Sequence, residues 1–210
     1  DGLAKGQIVR LNADGSADNT FSYCGCLMNS ITNVGLQPDG KLLLAGSNGH
    51  SRMVRLNTDG TQDTTFGAYY PVGIASTFEF IAMQSDNKIV ATTSGSLGSG
   101  FHAGYLVRLN PDGTTDGGFT AITYDSGRLI WGYVRAVAIE PSGKVYLSVT
   151  TYSGPSSTSS LRRFNSNGTL DSAWELPNFT TSGGSSLGVD ITGLDVQPDG
   201  ALVAGGRFDS

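Results

Sequence analysis

The 210 residues suffice for one large domain or two small ones, and they combine 15% charged and 38% hydrophobic side chains with 30 glycines. The 18 acidic residues divide into 15 Asp and 3 Glu; Asp and Gly favour turns where Glu favours helices, which argues against a helix-rich protein. A formal charge of -5 leaves no basic face to offset a phosphate backbone, and no apolar run approaches the length of a membrane helix, so nucleic acid and membrane insertion are both disfavoured.

Two sequence units alternate strictly along the chain, and they set the expected elements. An arginine unit, VRLNADGSADNTF from Val9, precedes a hairpin unit, VGLQPDGKLLLA from Val34. The pair recurs as VRLNTDGTQDTTF from Val54 with IAMQSDNKIVAT from Ile81, then as VRLNPDGTTDGGF from Val107 with VAIEPSGKVYLS from Val137. A weaker arginine unit, RRFNSNGTLDSAW from Arg162, and the hairpin unit LDVQPDGALVAG from Leu194 follow. Successive arginine units are 45, 53 and 55 residues apart, and successive hairpin units 47, 56 and 57.

Each hairpin unit alternates apolar residues on both sides of a turn: Val34 and Leu36 before it, Leu42 and Leu44 after it. A period of two predicts half-buried strands joined by a tight turn. The turn position holds Gly40, Asn87, Gly143 and Gly200. A backbone at positive φ accepts Gly freely and Asn as the next choice, which explains the one departure. Arginine units repeat the logic with Gly15, Gly60, Gly113 and Gly168. Their Asn and Asp side chains can bond neighbouring amides and fix the turn. Each repeat is therefore expected to hold about four short strands and little helix.

A repeat of this length, built from four strands that cannot bury both faces alone, predicts an all-β propeller of four-stranded blades over residues 1–210. The Q-P-D-G-K hairpin followed by V-R-L-N-x-D-G-x-x-D-x-x-F resembles the delta-60 repeat, a β-propeller repeat of bacterial surface and secreted proteins and some phage proteins. The resemblance implies a propeller fold and carries no single activity or set of site residues with it. With an arginine unit first and a hairpin unit last, the N-terminal strands could complete the last blade. Four closed blades and a portion of a larger propeller are both compatible with the pattern.

Arg10, Arg55 and Arg108 each lie between Val and Leu on a strand, and Arg163 holds the same place before Phe164. The expected partners are the Asp residues that end each motif, Asp18, Asp63, Asp116 and Asp171, with the guanidinium fork pinning turn to strand. A residue present in every repeat is read as scaffold. The N-x-D-G-x-x-D loop offers three oxygen donors but lacks the closely spaced acids and bidentate Glu of a calcium loop, so no metal and no cofactor is expected. Cys24 and Cys26 flank Gly25 and could be free thiols or a paired clip. Glu140, which replaces Gln in its hairpin unit, reads as a surface residue. His50 and His102 occupy glycine- and serine-rich linkers without metal or catalytic spacing, and a non-enzymatic role is expected.

Function is expected where the repeats differ, since scaffold positions must match and loop positions need not. The variable segments span residues 67 to 77, 95 to 104, 120 to 133, 150 to 160 and 175 to 188. Tyr69, Tyr70, Trp131, Tyr133 and Tyr152 fall in or beside them and are the candidate ligand-binding residues, because flat aromatic faces beside Asn, Asp and Ser suit a glycan or a protein surface. The expectation is a binding or adhesion module, extracellular, on a cell surface or on a virion. An architectural subunit of a phage tail, fibre or surface filament, contacting other subunits, is the alternative.

Overall fold

The computed structural model describes residues 8–48, 50–67, 76–98, 101–120, 130–131, 133–153, 156–174 and 190–207. The described residues contain strands, bridges and turns but no helix. Strands β1 (Ser30–Leu36), β2 (Leu42–Ser47) and β3 (Ser51–Leu56) form an antiparallel sheet in chain order. A second sheet joins β4 (Ser76–Met83), β5 (Ile89–Gly98), β6 (Phe101–Leu109) and the two-residue β7 (Ile130–Trp131). The third comprises β8 (Tyr133–Ile139), β9 (Val145–Ser153) and β10 (Ser156–Phe164), and the last pairs β11 (Asp190–Val196) with β12 (Leu202–Arg207).

Each hairpin unit thus forms the first two strands of a sheet, and in the first three sheets the next arginine unit supplies the third. Pairing registers coincide: Leu42 faces Leu56 and Leu44 faces Val54 in the first sheet, as Ile89 faces Leu109 and Ala91 faces Val107 in the second. The turn geometry follows the expectation, with φ of 82° at Gly40 and 64° at Asn87, the single described non-glycine residue with positive φ.

The expected four strands per repeat require correction. Among the described residues the sheets hold three, four, three and two strands, and no pairing joins the last sheet to the first. What the arginine unit offers after its turn is a single bridge, Leu56 to Gln62 in the second copy, repeated as Leu11 to Ala17, Leu109 to Thr115 and Phe164 to Leu170. The reason is local. Asp59 Oδ1 accepts the amide of Thr61 at 2.9 Å and Asp63 Oδ1 that of Thr65 at 2.9 Å, so side chains take over the amides that a longer ladder would need.

Sheets stack in chain order through their first strands, β1 on β4, β4 on β8 and β8 on β11. The Val-x-Leu pattern explains this, since each strand pair leaves apolar residues on both faces. Leu43, Phe66, Phe78, Ile89 and Leu109 fill the space between the first and second sheets. Val90, Leu106, Phe119, Leu147 and Phe164 fill that between the second and third. A smaller cluster with Leu161 and Ile191 joins the third to the fourth, and Phe21, Tyr23, Met28, Leu44 and Leu56 cover the other face of the first.

Candidate functional site

Topology divides the molecule into two ends. Leu36 pairs with Leu42 and Leu42 with Leu56, so the hairpin turns and the arginine-unit turns share one end of every sheet. Ser30 pairs with Ser47 and Ser47 with Ser51 at the opposite end. The β5–β6 and β9–β10 connections and the starts of β4, β8 and β11 lie at that second end by the same pairing.

At the turn end the arginine units behave as expected. Arg10, Arg55, Arg108 and Arg163 donate through Nε to Asp18, Asp63, Asp116 and Asp171 at 2.7, 2.8, 2.7 and 2.9 Å. Three further partners were not read from the sequence. Lys41 from the hairpin unit reaches Asp63 at 2.8 Å, Lys88 reaches Asp116 at 3.0 Å and Lys144 reaches Asp171 at 3.4 Å. The motif's last aromatic lies against the guanidinium, Phe21, Phe66, Phe119 and Trp174 at 5.0, 4.9, 4.7 and 5.3 Å from ring centre to Cζ. A second nitrogen leaves the repeat: Arg10 donates to Thr58 O at 2.6 Å, Arg55 to Pro111 O at 2.5 Å and Arg108 to Ser166 O at 2.6 Å. The Lys and the closing Phe each recur in three of four copies, which is the signal that would have found them.

These contacts hold the carboxylates ionised. Hydrogen bonds from the hydroxyl and amide of Thr20, then from Arg10, lower the Asp18 pKa to about 2. Asp116 is held at about 2 chiefly by Lys88, with Gly118 N–H and Arg108 adding to it against the effect of burial. Burial would raise Asp63, but Lys41, Thr65 and Arg55 outweigh it and keep its pKa far below the usual range. The turn carboxylates are similarly engaged: Asp14, Asp59 and Asp112 each accept a hydroxyl and an amide two residues on. Glu140 is half-buried, accepting hydrogen bonds from Ser142 and Tyr146, where a surface role was expected.

The variable end has a different character. All four first strands carry an irregularity at one position, between Ile31 and Asn33, Phe78 and Phe80, Val134 and Ala136, and Ile191 and Gly193. Bulges re-aim side chains. The residues they re-aim are Thr32, Glu79, Arg135 and Thr192, a repeated structural position filled by four polar residues that do not repeat as a set. Each lies two places before the first apolar residue of its hairpin unit, so an offset comparison of the four units would have picked them out. Nearby, Thr150 Oγ1 lies 2.8 Å from Ser159 Oγ and 3.4 Å from Asp190 Oδ1.

Of the aromatic candidates, Tyr133 is half-buried with the Arg135 guanidinium 5.3 Å from its ring centre. The backbone of Trp131 pairs with Ala103, and that of Tyr152 with Ser157, both at the variable end. Tyr69 and Tyr70 lie outside the described residues. Cys24 and Cys26 form a disulfide in the segment leading to β1, resolving the open alternative as a clip. Among the described residues no group of three or more His, Cys, Asp or Glu is placed to hold a metal ion, and no helix is long and apolar enough to cross a membrane.

A family model described as a domain of unknown function (DUF5122), beta-propeller, matches residues 2–21, 37–66, 84–119 and 140–173. The chain belongs to this β-propeller family. The last three matched segments each run from a hairpin turn to the end of the next arginine unit, and the first covers the first arginine unit, consistent with a delta-60-like repeat. They leave out three of the five variable segments, 67–77, 120–133 and 175–188, and all four bulge positions. No curated protein matches the chain.

Proposed function

We propose that the chain is a non-enzymatic recognition module, extracellular or on a cell or virion surface, that holds a glycan or protein at the variable end of its blades. One observation carries this reading: the repeated polar residues are engaged with one another at the turn end, while the bulge residues Thr32, Glu79, Arg135 and Thr192, the starts of β4, β8 and β11 and the ends of β5 and β9 lie toward the other. The proposed architecture is radial, with first strands innermost and each blade completed by an arginine unit. Tyr133 beside Arg135 offers an aromatic face with a fixed cation, and Trp131 and Tyr152 share that end. Glycan-array and protein-array binding by the purified chain tests the reading. Binding that falls at least about tenfold in Trp131→Ala or Tyr133→Ala, with thermal stability kept, supports it; binding insensitive to every variable-end substitution would sink it.

A further inference from the structure

The fourth arginine unit breaks its own pattern on one face of its strand. Where the earlier units carry Val9, Val54 and Val107, β10 carries Arg162, and where β3 and β6 carry Arg52 and Tyr105 it carries Ser160. Pairing fixes where these side chains go. Arg162 lies opposite Leu147 and Ser160 opposite Val149, in the register that sets Val107 opposite Ala91 and Tyr105 opposite Thr93. Strand alternation puts both on the side of Phe164, which packs with Leu147 and Val149 between the second and third sheets; Leu161 packs the other way, with Ile191 of the fourth. At the same places Val54, Val107 and Tyr105 are 1%, 4% and 5% exposed, whereas Arg162 and Ser160 are only half-buried.

A guanidinium set among apolar side chains needs an acceptor, because removing the charge from water without one is costly. Arg10, Arg55, Arg108 and Arg163 each have a carboxylate, and Arg52, Arg135 and Arg207 have partners of their own. Among the described arginines Arg162 alone has a side chain with no hydrogen-bond, ion-pair or ring partner. Burial with no counter-charge pushes its pKa down, yet an arginine starts so high that it stays charged. The Ser160 hydroxyl, two residues and so about 7 Å away along the strand, has no partner either. Charge in the same unit shifts in the same direction, since Asn167 stands where the others have Asp14, Asp59 and Asp112. Relative to the second unit, the fourth gains a cation at 162 and loses an anion at 167.

We propose that Arg162 and Ser160 form an oxyanion-binding site on the face of β10 turned toward the second sheet, taking a carboxylate or sulfate group that is free in solution or carried by an acidic sugar. The guanidinium fork donates two parallel N–H bonds to the anion, and the Ser160 hydroxyl is placed to donate to the same ligand. A lysine would supply the charge without the fork. Arg162 lies two pairs from Phe164 and Val145 at the turn end, so the site is separate from recognition at the variable end and its failure leaves that reading standing. A Val at 162 would pack as Val54 and Val107 do; Arg162 is thus a departure that lowers stability and that a bound anion offsets.

Isothermal titration of the purified chain with trigalacturonate and, separately, with inorganic sulfate, at an ionic strength held constant with chloride, provides the test. Wild type should bind at least one of the two saturably. Binding of trigalacturonate alone assigns the group to an acidic sugar, and binding of sulfate assigns it to a free oxyanion. Arg162→Val should weaken that binding at least about tenfold. Without ligand the same variant should melt about 2–4 °C above wild type, because it restores the residue of the other units. Arg162→Lys, which keeps the charge and loses the fork, should weaken binding less than Arg162→Val, and Ser160→Ala less again. Arg162→Gln carries the comparison if the Val variant does not fold. A wild type that binds neither probe, or equal binding by wild type and the Arg162 variants, would overturn the site. So would an Arg162→Val protein that folds but melts below wild type, which would make Arg162 part of the scaffold.

Discussion

The first and second arginine units differ little in sequence and greatly in surroundings. VRLNTDGTQDTTF has its Val54 and Leu56 buried and the side chain of Arg55 at 9% exposure; VRLNADGSADNTF leaves Val9 and Leu11 exposed and Arg10 at 39%. Both make the same Arg-to-Asp bond, at 2.8 and 2.7 Å. What separates them is the hairpin unit beside each: β2 pairs with the second unit and supplies Lys41, whereas no described strand pairs with the first. A motif in this fold therefore encodes its own turn completely but its burial only through a neighbour, the behaviour of repeat architectures whose stability is partly a sum of interface terms.

The largest expected break in that comparison comes from the buried leucine. Leu56→Ala removes a fully buried side chain from the cluster around Phe21 and Met28 and should cost about 4 kcal/mol in chemical denaturation. Leu11→Ala at the matching exposed position should stay within about 0.5 kcal/mol of wild type in dilute solution. Equal losses would mean that the first unit is as well covered as the second. Next comes the carboxylate: Asp63→Ala strands the buried Arg55 and should lower stability by about 3 kcal/mol. Asp18→Ala, whose arginine remains solvated, should cost distinctly less by the same measurement.

Glycine turns sharpen the comparison further, because backbone conformation is held constant across it. Gly113 and Gly15 have φ of 88° and 83°. A Cβ on Gly113 would lie 2.4 Å from Gly67 O and 2.9 Å from the Phe66 ring, whereas one on Gly15 would meet nothing within 4 Å. Gly15→Ala should cost only the left-handed penalty, about 1 kcal/mol. Gly113→Ala should cost more, since the neighbouring unit's backbone must move, and thermal melting of the two variants reads the difference directly.

The same division explains what the sequence made legible. Period-two runs placed the hairpin strands, and Gly against Asn placed the positive-φ turns, because both are decided by contacts within a few residues. The Arg and Asp pairing was equally local, eight residues apart across one turn. Strand count was overestimated because the side chains of Asp59 and Asp63 capture amides that the pattern alone assigns to a fourth strand. Lys41, the closing Phe66 and the carbonyl of Pro111 escaped notice since each meets Arg55 or Asp63 only after hairpin and arginine turns are brought to one end. At the candidate site the aromatics were selected by composition, while Thr32, Glu79, Arg135 and Thr192 are equivalent only through a bulge. Their common offset, two places before each hairpin unit, is legible, but their side chains do not repeat, so motif matching passes over them.

Acid sensitivity is the finest measure of the contrast. Asp18 and Asp116 both have folded-state pKa values of about 2, below the ~3.9 of an unfolded Asp. Because the folded values are depressed, the stabilisation is complete above about pH 4 and is lost as the pH falls toward 2. The causes differ, however. Asp18 owes its shift mainly to Thr20, two residues away, and such a turn can persist in an unfolded chain, which cancels part of the linkage. Asp116 owes its shift first to Lys88, 28 residues distant, a contact that unfolding abolishes. Melting temperature followed from pH 5 to pH 2 should therefore flatten visibly in Asp116→Asn and little in Asp18→Asn. Lys88→Met should move the acid transition to higher pH, because the carboxyl then protonates sooner. Identical acid profiles for the two Asn variants would show that the outer unit is held as firmly as the inner one.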